Sequence, residues 1–298
     1  MENENQDYTD VFQRACLIQL SISVWQGSCK LEESVLQRIG ENSEWLRGSK
    51  SLINQQLLGP VRKTANQARN EIRKYALPFP IASVYLISKE ALTMVDEKLQ
   101  GARRRFEYQV QDFELLFEAA KEEARGYLGE LYNEADYPMN VGRKFRFEWR
   151  FLALDVPGKS KLLPPEIYER EKAKFQTMME ETREVAICAL REEFGQIVGR
   201  LADRLNKDGA QPQVIKASMF NKMSEFLDSF GTRNIFEDDV LVELSQKARA
   251  LVDGVSADGV RGNDVMQRRI RKEMNQLKAA IDNALEDMPR RKIRMAAV

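Results

Sequence analysis

Histidine is absent from this 298-residue chain. That removes the Ser-His-Asp and Cys-His nucleophile systems, the HExxH zinc site and the commonest general base together. Cysteine is scarce: Cys16, Cys29 and Cys188 show no CxxC spacing, so neither a zinc ribbon nor a redox pair is legible. They read as small buried residues in a reducing compartment. No apolar run approaches the roughly 18 residues of a membrane span, and the acidic start (Glu2, Glu4, Asp7, Asp10) lacks the form of a signal peptide. The expectation is a soluble, cytoplasmic protein. Net charge is also missing, with 46 basic and 46 acidic residues, so no global field argues for nucleic acid or membrane. Locally the balance fails, because Arg268, Arg269, Arg271, Lys272, Arg290, Arg291, Lys292 and Arg294 gather near the C-terminus.

Two long helical runs organise what is there. In Ser88–Tyr132, Leu92, Leu99, Phe106, Phe113, Ala120 and Tyr127 recur every seven residues, while the companion position drifts from Val95 and Ala102 to Val110, Phe117, Ala124 and Leu131. Such drift fits nearly straight helices of 3.6 residues per turn. In Pro165–Asn206, Phe175, Met179, Ala186, Leu190, Phe194, Ile197, Leu201 and Leu205 share one side. At about 1.5 Å per residue each run spans roughly 60 Å. That is longer than a compact core requires, and a protruding helical hairpin is expected.

Ala15–Trp25 alternates, with Cys16, Ile18, Leu20, Ile22 and Val24 on one face, which predicts a half-buried strand. A short helix is expected from Leu31 to Gly40, and two more over Ser51–Leu58 and Pro60–Tyr75, the latter with Val61, Ala65, Ala68, Ile72 and Tyr75 inward. Ile81–Ile87 is β-prone, and Ser88 is a candidate N-cap for the long helix. Lys144–Leu154 sets Phe145, Phe147, Trp149 and Phe151 on one face and Lys144, Arg146, Glu148 and Arg150 on the other. After a joint at Gly209–Pro212, three helices are predicted. One carries Met219 to Phe230 and ends at Gly231, one is capped by Asp238 or Asp239 and ends at Gly254, and one runs from Asp264 to Pro289.

Few stretches offer chemistry. Ala153-Leu154-Asp155-Val156-Pro157-Gly158-Lys159-Ser160 satisfies a relaxed phosphate-binding-loop pattern, yet Pro157 removes a donor, alanine replaces the leading glycine, and helix resumes only at Pro165. A surface turn is the better reading. Strict alternation over Lys144–Phe151 puts aromatics and cations on opposite faces, unlike a single-strand nucleic-acid platform. The carboxylates Glu180, Glu181, Glu184, Glu192 and Glu193 lack the Glu-x-x-His of di-iron bundles and read as surface ion pairs. The C-terminal cations could counter an anionic partner, nucleic acid or acidic protein. Catalytic, cofactor-binding and metal residues are therefore expected to be none. The candidate partner-binding residues are Arg268, Arg271, Lys272, Arg290, Arg291, Lys292 and Arg294, with Arg146 and Arg150 as exposed strand residues.

The strand Leu17-Ile18-Gln19-Leu20-Ser21-Ile22-Ser23-Val24-Trp25 with Lys30-Leu31, the long helix with Phe106 and Phe113, Phe145-Arg146-Phe147-Glu148-Trp149, Asn234-Ile235-Phe236-Glu237-Asp238-Asp239 and Pro289-Arg290-Arg291-Lys292 together resemble a family of uncharacterised bacterial and phage proteins. The resemblance spans nearly the whole chain, and no motif in it has assigned chemistry. Genes of that family often lie near those of a MoxR-type AAA+ ATPase and a von Willebrand factor A protein. The resemblance thus implies an adaptor or partner in an ATP-driven remodelling system and no active site.

These readings converge on an α+β, predominantly helical fold: a long antiparallel helical hairpin with a small antiparallel sheet at its base and a helical C-terminal unit. The expected segments are 1–87, 88–208 with the inserted strand 144–154, and 213–298. The expected function is a non-enzymatic adaptor or structural subunit acting with the ATPase, the von Willebrand factor A protein, or both. Its seams are long enough for a homo-oligomer. The alternative is a nucleic-acid-binding accessory protein of phage DNA metabolism or anti-phage defence, using the basic C-terminus.

Overall fold

The computed structural model describes residues 11, 14–39, 47–153, 164–205, 216–256, 259–260 and 263–288. Six strands and seven helices of at least one full α-turn are described: β1 (Ala15–Ser23), β2 (Ser28–Lys30), α1 (Glu33–Ile39), β3 (Ser49–Ser51), α2 (Gly59–Tyr75), β4 (Ala76–Pro78), β5 (Val84–Ser88), α3 (Leu92–Leu128), β6 (Arg146–Leu152), α4 (Pro165–Leu205), α5 (Ala217–Arg233), α6 (Asp239–Val252) and α7 (Asp264–Glu286). The fold is α+β and predominantly helical. The larger sheet has the order β4-β5-β1-β6, with β4 antiparallel to β5 in the register Leu77↔Leu86, and β2 pairs antiparallel with β3.

Two compact units are interleaved along the chain. The first comprises Met1–Ile18, Lys74–Leu92 and Phe151–Val298; the second comprises Gln19–Arg73 and Thr93–Arg150.

The first unit is built on α4. Met179, Ala186, Leu190, Phe194, Val198 and Leu201 form its buried line, recurring at the three-, four- and seven-residue intervals of one helix face. That face is filled by α7, α5 and β4, with α6 packed on α7 and α5. Phe194 stacks on Phe226 with ring centroids 4.9 Å apart and planes 8° from parallel. Close approach of α7 depends on Gly195 and Gly199: a Cβ on Gly195 would lie 3.2 Å from Ile281 Cγ2, and one on Gly199 would lie 3.1 Å from Lys278 Cε.

The second unit is organised by α3. Leu99, Phe106, Val110, Phe113, Phe117 and Ala120 are among its buried residues, and two of them meet the aromatics of β6 and its approach, Phe106 lying 5.5 Å from Phe147 and Phe113 lying 5.6 Å from Phe145. Trp25 packs edge-on to Phe117 at 5.6 Å, and Leu52, Ile53, Leu58, Tyr137 and Val141 complete this core. Within its own unit, α4 is packed by α7, α5 and β4, and α3 by the β6 aromatics and the 52–58 segment.

Several local expectations are corrected. Tyr127 is 86% exposed instead of lying in the α3 seam. A strict seven-residue position drifts about 20° per heptad on a straight helix, so five heptads from Leu92 carry it roughly 100° out of the core. Ser88 precedes a single 3-10 turn, Lys89–Ala91, and makes no side-chain cap; α3 begins at Leu92. Residues 55–58 form a 3-10 turn capped by Asn54, not an α-helix. Gly231 does not end α5, which continues to Arg233. Phe151 is exposed, because β6 leaves the second unit's aromatic core after Trp149. Asp238 caps α6 as expected, accepting the Leu241 N–H at 3.2 Å, and Asn263, one residue before Asp264, caps α7.

Candidate functional site

On α7, Gln267, Ile270, Met274, Leu277 and Ile281 face inward, which leaves Arg268 and Lys272, four residues apart, on the exposed side. Arg268 Nε donates to the Asp264 carbonyl at 3.3 Å, and neither Arg268 nor Lys272 meets a carboxylate among the described residues. Their neighbours are neutralised, Arg269 by Glu273 at 3.2 Å and Lys278 by Asp282. Arg271 is half-buried and engaged. Arg290, Arg291, Lys292 and Arg294 lie outside the described residues, as does the candidate loop around Lys159.

Arg146 and Arg150 stand on the exposed face of β6 with Glu148 between them, 4.0 Å from Arg146. The opposite face works for the fold: Phe147 is buried, and Trp149 Nε1 donates to Asp96 Oδ1 at 2.8 Å. Arg146 also borders a cleft of about 470 Å³ over Phe106 and Phe145, whose Arg103 pairs with Glu107 at 2.7 Å. With three arginines and three glutamates in its wall, this cleft presents no net charge. The Arg146 row belongs to the second unit and the α7 cations to the first.

Burial pushes the thiols of Cys16, Cys29 and Cys188 above their ordinary range, so none is a ready thiolate, and all three are free. Among the described residues no group of three or more Cys, Asp or Glu could hold a metal ion, and no helix is long and apolar enough to cross a membrane.

The feature that the seven-residue reading overlooked is the outer face of α3. Tyr108 and Leu115 follow Phe106 and Phe113 by two residues, about 200° round the helix. They are 65% and 83% exposed, and the exposed Leu116 and Tyr127 lie about 100° to one side of them. The signal in the sequence is a single apolar heptad pair, Tyr108 and Leu115, offset from the core phase and bounded by Gly101 and Glu122.

Comparison with known families places the chain in the family described as protein of unknown function (DUF3150): the family model matches residues 12–194, more than half of its length, and the chain belongs to it. No curated protein and no solved structure gives a match.

Proposed function

For a DUF3150 member built in this way, we propose a non-enzymatic adaptor or structural subunit that works in the cytoplasm with a MoxR-type AAA+ ATPase, a von Willebrand factor A protein, or both. The observation that carries this reading is the exposed apolar pair Tyr108 and Leu115, with Leu116 beside it, on a 37-residue helix whose opposite face is already filled. Exposed leucine and tyrosine on a rigid helix supply large contact area at little entropic cost. Charges interleave with them, Asp112, Glu123 and Arg104 among others, which gives such a face register as well as affinity. The gene neighbourhood implied by the family resemblance supplies the partner's class.

The test is light scattering coupled to size exclusion, on the protein alone and mixed with the AAA+ ATPase encoded beside it. A joint peak is expected, lost in Leu115→Glu with helical content unchanged by circular dichroism. Failure to co-elute or to alter ATP hydrolysis overturns the reading, and self-assembly indifferent to the neighbour replaces it with a homo-oligomeric structural role. The nucleic-acid alternative is favoured by one observation, the carboxylate-free Arg268 and Lys272. It requires affinity that falls steeply with salt and is lost on deleting residues 288–298.

A further inference from the structure

Helix α2 of the second unit carries a basic line that the fold does not use up. Val61, Ala65, Ala68 and Ile72 point into the core, and Arg62, Asn66, Arg69 and Arg73 follow one another at four, three and four residues along another face. The helix has five cationic residues and one acidic residue, Glu71, which is itself paired with Lys98. In a chain of zero net charge this is a local concentration.

Arg62 and Arg69 are half-buried and fixed by neutral acceptors only. Arg62 Nη2 donates to the Gln26 carbonyl at 3.0 Å and to Gln55 Oε1 at 2.7 Å. Arg69 Nη2 donates to the Ile22 carbonyl at 3.0 Å, and its Nη1 donates to Asn66 Oδ1 at 3.0 Å. Gln55 is in turn held through its Nε2 by the Gly27 carbonyl at 2.7 Å. Each guanidinium thereby spends two of its five N–H donors and keeps three. No carboxylate neutralises Arg62, Arg69 or Arg73 among the described residues. The remaining donors border a concavity of about 420 Å³ lined by Ser23, Gln26, Arg62, Asn66 and Arg69.

Two half-buried cations oriented by dipoles, with no carboxylate among the described residues to cancel their charge, are the elements of an oxyanion site. Guanidinium forks match phosphate oxygens in geometry and charge, and charge-assisted bonds of this kind are about twice as strong as neutral ones. The concavity has the size of a small-ligand pocket and not of a groove that tracks a strand. We propose that this pocket binds the phosphate group of a small phosphate ester or polyphosphate, with Arg62 and Arg69 as the charged donors and Asn66 and Ser23 as neutral ones. The proposal does not depend on the adaptor reading.

Asn66→Asp gives the sharpest test, because it sets a carboxylate within reach of both guanidiniums without changing shape. Isothermal titration calorimetry of the whole protein at low salt would use inorganic pyrophosphate as the probe, with ADP in a parallel arm. The wild type is expected to give saturable heat that weakens as salt rises. Asn66→Asp is expected to lose affinity at least about tenfold while its melting temperature holds or rises, and Arg69→Gln to lose affinity comparably. Pyrophosphate should raise the melting temperature of the wild type and not of Asn66→Asp. Tighter binding of ADP than of pyrophosphate would assign the phosphate to a nucleotide, and equal binding to the phosphate alone. Absence of saturable heat with either probe, or equal affinity in wild type and Asn66→Asp, overturns the proposal and leaves these arginines as ties between α2 and the β1 end.

Discussion

The two units treat buried and half-buried arginine in opposite ways, although half-buried lysine is paired with a carboxylate in the second unit as well, Lys50 with Asp136 at 2.7 Å. In the first, Arg191 makes a bidentate pair with Asp238 at 2.7 and 2.9 Å and donates to the Ala284 carbonyl, and Arg233 meets Glu193 at 2.5 Å. Asp238 is simultaneously the cap of α6, so one ion pair ties α4, α6 and α7 together. In the second, Arg62 and Arg69 meet carbonyls and amides and keep their charge uncancelled. A neutralised guanidinium belongs to the architecture, and an oriented but unneutralised one is available to a ligand. The cores differ too. Both hold several phenylalanines, but the rings meet differently: Phe194, Phe226 and Phe230 stack in the first, while Phe106, Phe113, Phe117, Phe145 and Phe147 form a network of tilted and edge-on contacts in the second.

The largest effect is expected from Arg191→Met. It strips Asp238 of its partner while leaving the carboxylate buried, and breaking such a pair costs about 3–5 kcal/mol. Denaturant melts should show the loss, and hydrogen exchange should localise it, with faster exchange in α4, α6 and α7 and unchanged rates in α3 and β6. Equal acceleration in both units would break the comparison, since the units would then open together. Next comes Gly195→Val. Its Cβ alone would stand 3.2 Å from Ile281 Cγ2, and overpacking of this kind costs about 1–3 kcal/mol, read as a lower midpoint in the same melts.

Much of this architecture is legible in the sequence. Alternation located β1 and β6, and the inward residues of α2, α4 and α7 follow from 3.6-residue periodicity. Side-chain caps announced α6 at Asp238. What escaped was either non-periodic or shared between elements. The 3-10 turns at 55–58 and 89–91 have helical composition over too few residues to distinguish them from α-helix. Which helix fills which seam is a matter of tertiary choice, and Gly195 and Gly199 became meaningful only once α7 was seen against them. The arginine line of α2 was readable as spacing. Its importance rests on the absence of carboxylate partners, which a sequence with abundant acidic residues cannot reveal. The same holds for the proposed docking face: Tyr108 and Leu115 form a visible heptad pair, yet only exposure separates them from Phe106 and Phe113.

An effect of similar size is expected at Tyr137, whose hydroxyl donates to the Leu52 carbonyl at 2.8 Å within the second unit's core. Tyr137→Phe leaves that carbonyl without its partner, a loss of about 1–3 kcal/mol. Burial, reinforced by Tyr132 and Asp136 nearby, raises the phenol from 10.0 to about 12. The folded state therefore prefers the neutral phenol. This contribution is fully present below pH 10 and is lost as pH rises from 10 towards 12. Urea midpoints measured across that window should fall in the wild type and fall less in Tyr137→Phe. Parallel curves would mean that Tyr137 titrates alike in both states.

The smallest effect is expected from the most conspicuous polar cluster. Glu134 is 2.6 Å from Lys121 Nζ and 3.6 Å from Arg125, and it accepts the Tyr132 hydroxyl at 2.5 Å. Hydrogen bonds from Lys121 first, and then from Tyr132, hold its carboxyl below the ordinary value of 4.5. The sign is thus opposite to that of Tyr137: the contribution is present above pH 4.5 and lost as pH falls through the depressed value. Glu134 is 59% exposed, however, and water and salt already screen it as they screen other surface pairs. Glu134→Gln should move the midpoint least of the four, and high salt should erase the difference. Arg191→Met should keep its deficit in the same salt, because its carboxylate partner is 3% exposed. If salt abolished both deficits alike, burial would not be what distinguishes them, and the contrast between cancelled and uncancelled arginines would lose its physical basis.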